Sequence, residues 1–382
     1  MVVTLTTQIG TRANWVGSHY WSALDRVEVA WDDYDARPLF NQSTQGVYSP
    51  RLFFIDSPAA LGGHYDVIPE EAPTSPPRVK YDQSSLEPKH PFRDSLWSGS
   101  NGPLEAYPPF QYWTDFWEPR HLPEFSHILP RNQTSTESQF KFWFEYAPVT
   151  PEIVDEMSLR KLVEETEGAV HQVRVLMDPS TSLAEHSLGV SEYLGSCYSK
   201  SSCLAMVGMR LESNAAADLV NLAHLIHTEL NASDTRSYLM TVFSNLDSPR
   251  IENSAIQAAW MECVHPSSSA GGRFTLESAS LAIDGKQCFS HHQGLGVGSL
   301  GPLSKHGFRP NYASHLPTEF ATIEAGTVGT QSLVPLLQEM QTAVKRFAKI
   351  DFRPTDRVER EYFDELGETV LGLVNSIGSP DN

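Results

Sequence analysis

The chain has 382 residues, of which 40 % are hydrophobic, 20 % charged and 10 % aromatic, a balance that fits a folded globular protein and excludes a disordered one. Its formal net charge of -19, from 28 basic and 47 acidic residues, repels phosphate backbones, so nucleic acid and an anionic membrane surface are not expected partners. No apolar run reaches the length that crosses a bilayer, and the first residues lack the basic region and apolar core of a signal peptide.

The expected setting is therefore soluble and cytoplasmic, with the sequons at Asn41, Asn132 and Asn231 left unmodified. Cys197, Cys203, Cys263 and Cys288 include no CxxC pair, so they are expected as reduced thiols rather than zinc ligands or a disulfide framework.

Residues 1–150 form an aromatic- and proline-rich region of mixed character, holding seven of the eight tryptophans. Asp25–Trp31 alternates in polarity and predicts a strand. Arg51–Ile55 predicts a second, stopped by Ser57-Pro58. Between Gly63 and Asp66, His64 and Asp66 match the HxD pair that supplies two ligands of an iron facial triad. The prolines at 69, 73, 76, 77, 88 and 91 then predict a loop or extended cover, since proline removes amide donors and restricts its neighbour.

Tyr107–Trp117 carries six rings in eleven residues. Phe110, Tyr112, Trp113 and Trp117 are expected either as packed core or as the wall of a pocket for a flat, greasy ligand, because rings offer large rigid contact area.

Residues 151–382 read as mainly helical. Thr150 caps and Pro151 opens a helix whose pattern runs through Val170 towards Met177, before Asp178-Pro179 ends it. Further helices are predicted over 183–198, 215–230, 234–246 and 253–263. On the helix over 215–230, Leu219, Leu222, Ala223, Ile226 and Leu230 share one face. His224 falls opposite and His227 on the flank, so His224 is expected to meet solvent or another polar element. The pair is not an HExxH zinc motif. A Cys263/His265 cluster with a later histidine lacks an identifiable fourth ligand.

A β-hairpin is predicted over 273–290, turning at Asp284-Gly285, a dipeptide suited to a two-residue hairpin turn. It leads to His291 and His292 and then a glycine-rich loop, 291–302. If the strand continues through them, the two histidines occupy opposite sides of it. A neutral imidazole takes a proton, gives one or binds a metal. The glycines permit a close approach of backbone to a ligand, yet form neither GxGxxG nor a P-loop. Arg309 is placed to pair with a carboxylate on a substrate, or with a local acid. His306 and His315 are open as axial haem ligands. Two last helices are predicted, over 331–350 and 354–376.

The fold class read from this pattern is α+β, with a helix-rich C-terminal part, an inserted hairpin and a mixed N-terminal part that either stands alone or fuses with it. The function expected first is an enzyme of small-molecule metabolism, such as a lyase or isomerase. It would transform a partly apolar molecule by proton transfer in an aromatic-lined pocket. His291, His292 and Arg309 are its candidate catalytic residues, and the rings at 110, 112, 113 and 117 contact the substrate. Two alternatives stay open: an oxidoreductase using haem or iron, with His64 and Asp66 as metal ligands, and a non-catalytic binding or scaffold protein. A homodimer is compatible with all three readings.

Overall fold

The computed structural model of the chain describes residues 2–25, 39–42, 48–61, 66–67, 79–80, 91, 111–117, 126–128, 169–178, 202–208, 219–224, 226–227, 238–244, 276–283, 286–294, 326–327, 333–350 and 360–377, with single positions between 163 and 258. It combines helices with a predominantly parallel sheet and small antiparallel pairs.

The chain begins with β1 (Val2–Ile9), a run of Val, Thr and Ile that favours the pleated conformation. Gly10 turns it into α1 (Thr11–Asp25). β2 (Phe40–Gln42) and β3 (Tyr48–Pro50) pair antiparallel, and β4 (Leu52–Asp56) follows. A single turn, α2 (Pro58–Leu61), comes next, then β5 (Asp66–Val67) and β6 (Val79–Lys80), a second antiparallel pair. A 3-10 turn (Trp113–Phe116) and β7 (Ser126–Ile128) precede β8 (Ala169–Met177), β9 (Ser202–Gly208) and β10 (Tyr238–Ser244). β11 (Leu276–Ile283), β12 (Lys286–Gly294) and β13 (Gly326–Thr327) come before the last two helices, α3 (Leu333–Ile350) and α4 (Arg360–Ile377).

Among the described residues, nine strands form one sheet in the order β13-β11-β12-β10-β9-β8-β1-β4-β7. β1 lies between β4 and β8, parallel to both. From β1 the chain steps outward through β4 to β7, then returns to the other side of β1 and continues through β8, β9 and β10. The sheet therefore joins strands from both sides of residue 150. β12 runs parallel to β10, while β11 folds back on β12 as a hairpin whose register pairs Ile283 with Lys286.

Residues 3–9 of β1 and 52–56 of β4 are buried throughout, the continuous burial of parallel strands covered on both faces. α1 is buried along residues 13–22, which explains why its sequence is only weakly two-faced. Polar groups lie within its contact with the sheet: Arg174 of β8 donates to the Tyr20 hydroxyl at 2.8 Å and to the Gln172 side-chain oxygen at 2.8 Å. The Gln8 side chain occupies the space that a Cβ on Gly17 would need.

α3 and α4 pack as a helical pair. Leu336, Leu337, Met340, Ala343 and Val344 recur on one stripe of α3, and Phe363, Leu366, Val370 and Leu373 on one stripe of α4, all buried. Phe347 stacks on Phe363 with ring centroids 6.5 Å apart.

Several expected elements change type. The helix expected to run to Met177 gives way to β8 from Ala169, where valines at 173 and 175 share one strand face between β1 and β9. The helix expected over 234–246 contains β10, whose Tyr, Thr, Val and Phe are strand formers. Asp25 closes α1 instead of opening a strand, and 26–31 lie outside the described residues. The hairpin, α3 and α4 appear within a few residues of their predicted bounds, but β12 extends through both histidines. β1, α1 and β9 are additions.

Candidate functional site

Parallel α/β sheets bind ligands outside the carboxyl ends of their strands, at the point where the order of connection reverses. Here that point lies between β1 and β8. Gly10 stands there with φ 90°, in the left-handed region that glycine enters without steric cost. Its N–H donates to the Ile55 carbonyl at 3.0 Å, and its own carbonyl accepts the first helical bond of α1, from Asn14 N–H at 3.0 Å.

Two aspartates hold this turn. Asp178, just after β8, donates its N–H to the Ile9 carbonyl at 3.0 Å, and its carboxylate accepts the Arg12 N–H at 3.2 Å. That carboxylate complements the positive end of α1. Asp56, the last residue of β4, is fully buried. Its Oδ1 accepts from the Thr11 hydroxyl at 3.0 Å and the Ser57 N–H at 2.7 Å. Its Oδ2 accepts from the Asn14 side-chain amide at 2.8 Å and the Trp113 indole N–H at 3.0 Å. Asn14 also donates to the Ile55 carbonyl at 3.1 Å.

Burial pushes the Asp56 carboxyl up to about 6, because removing the anion from water outweighs the hydrogen bonds that favour it. Trp113 closes over the carboxylate, edge-on to Phe54 at 5.2 Å and to Trp117 at 5.7 Å. The 3-10 turn carrying Trp113 is itself fixed by Asp115, whose carboxylate accepts the N–H groups of Gln111 and Tyr112 at 3.1 Å each. His19, further along α1, is buried 6.1 Å from the Trp15 ring, and burial lowers its pKa to about 3.

The sequence-derived candidates fall in separate places. Trp113 and Trp117 are buried beside Asp56, and Tyr112 precedes them, half-buried. His291 pairs in register with Val242 and Ala279, and His292 with Phe243 and Ser278. The pair lies towards the carboxyl end of β12, on the edge of the sheet that also carries Gly10, Asp56 and Asp178. Five strand spacings, roughly 24 Å, separate β12 from β4. Asp66 pairs with Lys80 between β5 and β6. Phe110, His64, Arg309, His306, His315, Cys263, His265 and the loop beyond Gly294 lie outside the described residues. Among the described residues no group of three metal-binding side chains converges, and no helix is long and apolar enough to cross a membrane.

Gly10, Thr11, Asn14, Asp56 and Asp178 were not anticipated as site residues. Their signals are short: a glycine between a β-branched run and an aromatic helix, and aspartates that end strands before Ser57-Pro58 and Pro179. Strand-terminal acids become conspicuous only once the strands are known to be parallel. No protein-family model and no curated protein matches this chain, so its functional reading rests on the chemistry of this cluster.

Proposed function

We propose that the chain binds a nucleotide-like small molecule, part flat and apolar and part polar, at the carboxyl edge beside β1 and β8. The observation that carries this is the reversal of strand order at β1, with Gly10 leading straight into the buried helix α1. Mononucleotide-binding α/β sheets use that crevice and that helix end. Asp56 and Asp178 set the terms of entry. An anionic group approaching two carboxylates needs a countercharge, which a divalent cation carried by the phosphates supplies. The test is calorimetric titration of the full chain with nucleoside di- and triphosphates, with and without Mg²⁺, beside the uncharged nucleosides. Binding that needs both phosphate and Mg²⁺ is expected. No heat and no rise in melting temperature at millimolar ligand overturns the proposal.

A second reading, turnover of a partly apolar molecule by proton transfer, is favoured by Asp56. A carboxyl titrating near 6 exchanges its proton close to neutrality. In that reading His291, His292 and Arg309 keep their proposed acid–base and orienting roles, and haem or iron chemistry stays with His64 and Asp66. A substrate panel separates it from binding alone. Turnover that survives joint replacement of His291 and His292 by alanine removes the histidines from the chemistry.

A further inference from the structure

We infer that His224 and His227 form an acid-sensitive latch that holds the C-terminal helix α4 against the helical segment 219–227. Both imidazoles use Nδ1 towards a hydroxyl of α4: His224 meets Tyr362, and His227 meets Thr369 at 2.7 Å. The Tyr362 ring lies edge-on to both, with centroids 5.6 Å from each. These contacts join parts of the chain 138 and 142 residues apart.

The hydrogen-bond directions follow from Thr369. Its hydroxyl donates to the Glu365 carbonyl at 3.1 Å, so towards His227 it accepts, and His227 carries its proton on Nδ1. The bare Nε2 of His227 then faces the Glu365 carboxylate at 4.0 Å. Charging His227 therefore gains an ion pair, though an exposed one of small worth. His224 lies half-buried against the Tyr362 phenol, and a charged His227 beside it adds repulsion. Burial lowers its pKa to about 4, while burial lowers that of His227 with Glu365 opposing. On α4, Glu361, Asp364 and Glu368 are exposed, as are Glu339, Lys345, Arg346 and Lys349 of α3.

The sign follows. A released His224 takes a proton below about 6.5, whereas a latched one resists until about 4, so acid favours release. At pH 5.5 the opening equilibrium is about tenfold larger than at pH 7.5.

Hydrogen exchange of the full chain reads this directly, with rates in 360–377 normalised to those in β1 and corrected for intrinsic pH dependence. The expected result is a rise of about tenfold in α4 opening on going from pH 7.5 to 5.5. The step shrinks in His224→Gln, which keeps an amide in place of the imidazole but does not titrate, disappears when His227→Gln is added, and grows in Glu365→Gln. An α4 that opens no more at pH 5.5, or a step that persists when both histidines are replaced by glutamine, overturns the inference. Should that variant fold poorly, ring-proton NMR of the unmodified chain decides: His224 remains neutral through pH 5 if the latch exists, and charging at or above 6.5 refutes it.

Discussion

Asp56 and His19, both buried, and His224, half-buried, pull the pH dependence of stability in opposite directions. Asp56 is raised to about 6 from 3.8, so between those values the folded chain holds a proton that the unfolded chain has shed, and this group stabilises as pH falls. His19 and His224 are lowered from 6.5, to about 3 and about 4, so the unfolded chain takes protons that the folded one refuses. Their contribution is complete above pH 6.5 and is lost as pH falls. Two histidines outweigh one aspartate, and between pH 6 and 4 these groups together lower stability by about 1 kcal/mol per pH unit. Denaturant melts at stepped pH measure that slope, and a flat profile contradicts it. At the same scale, Asn14→Ala removes the amide that bridges Asp56 and the Ile55 carbonyl inside the core. It is expected to cost about 1–3 kcal/mol in urea unfolding, since the carboxylate left behind stays buried.

At the scale of elements, the helical pair α3–α4 rests on interlocked apolar stripes. Leu366 is fully buried, whereas Leu371 is 42 % exposed. Leu366→Ala is expected to lower stability by about 2–5 kcal/mol, and Leu371→Ser to change it by less than about 0.5 kcal/mol. Thermal melts of the two variants check the contrast. Gly17→Ala places a methyl where the Gln8 amide lies, and over-packing there is expected to cost about 1–3 kcal/mol.

These two helices were legible in the sequence because their apolar residues recur at helical spacing and decide which face is covered. β8 and β10 were not. Valines and aromatics at 170–175 and 238–243 satisfy a helical and a strand period over so short a window, and only the neighbours on either side settle the choice. The aromatic cluster was half legible: Trp113 and Trp117 were marked as core or pocket wall, but the carboxylate that Trp113 contacts sits 57 residues away and no spacing rule links them.

At the scale of the whole molecule, β1 sits inside the sheet with partners from distant parts of the chain. Cutting the protein after residue 150 removes β8 and leaves the buried edge of β1 without its ladder. Residues 1–150 produced alone are expected to be aggregated or unfolded by circular dichroism and gel filtration, and co-production with 151–382 to restore soluble material. A well-folded 1–150 fragment contradicts this.

The position of β1 also bears on synthesis. The strand it pairs with along most of its length is made 167 residues later. At ordinary elongation rates the nascent chain spends roughly 8–33 s with the β8-facing edge of that ribbon open. Such a ribbon pairs readily with other chains, so holdase chaperones that bind emerging polypeptides are expected to govern the yield of this protein more than the stability of its finished form.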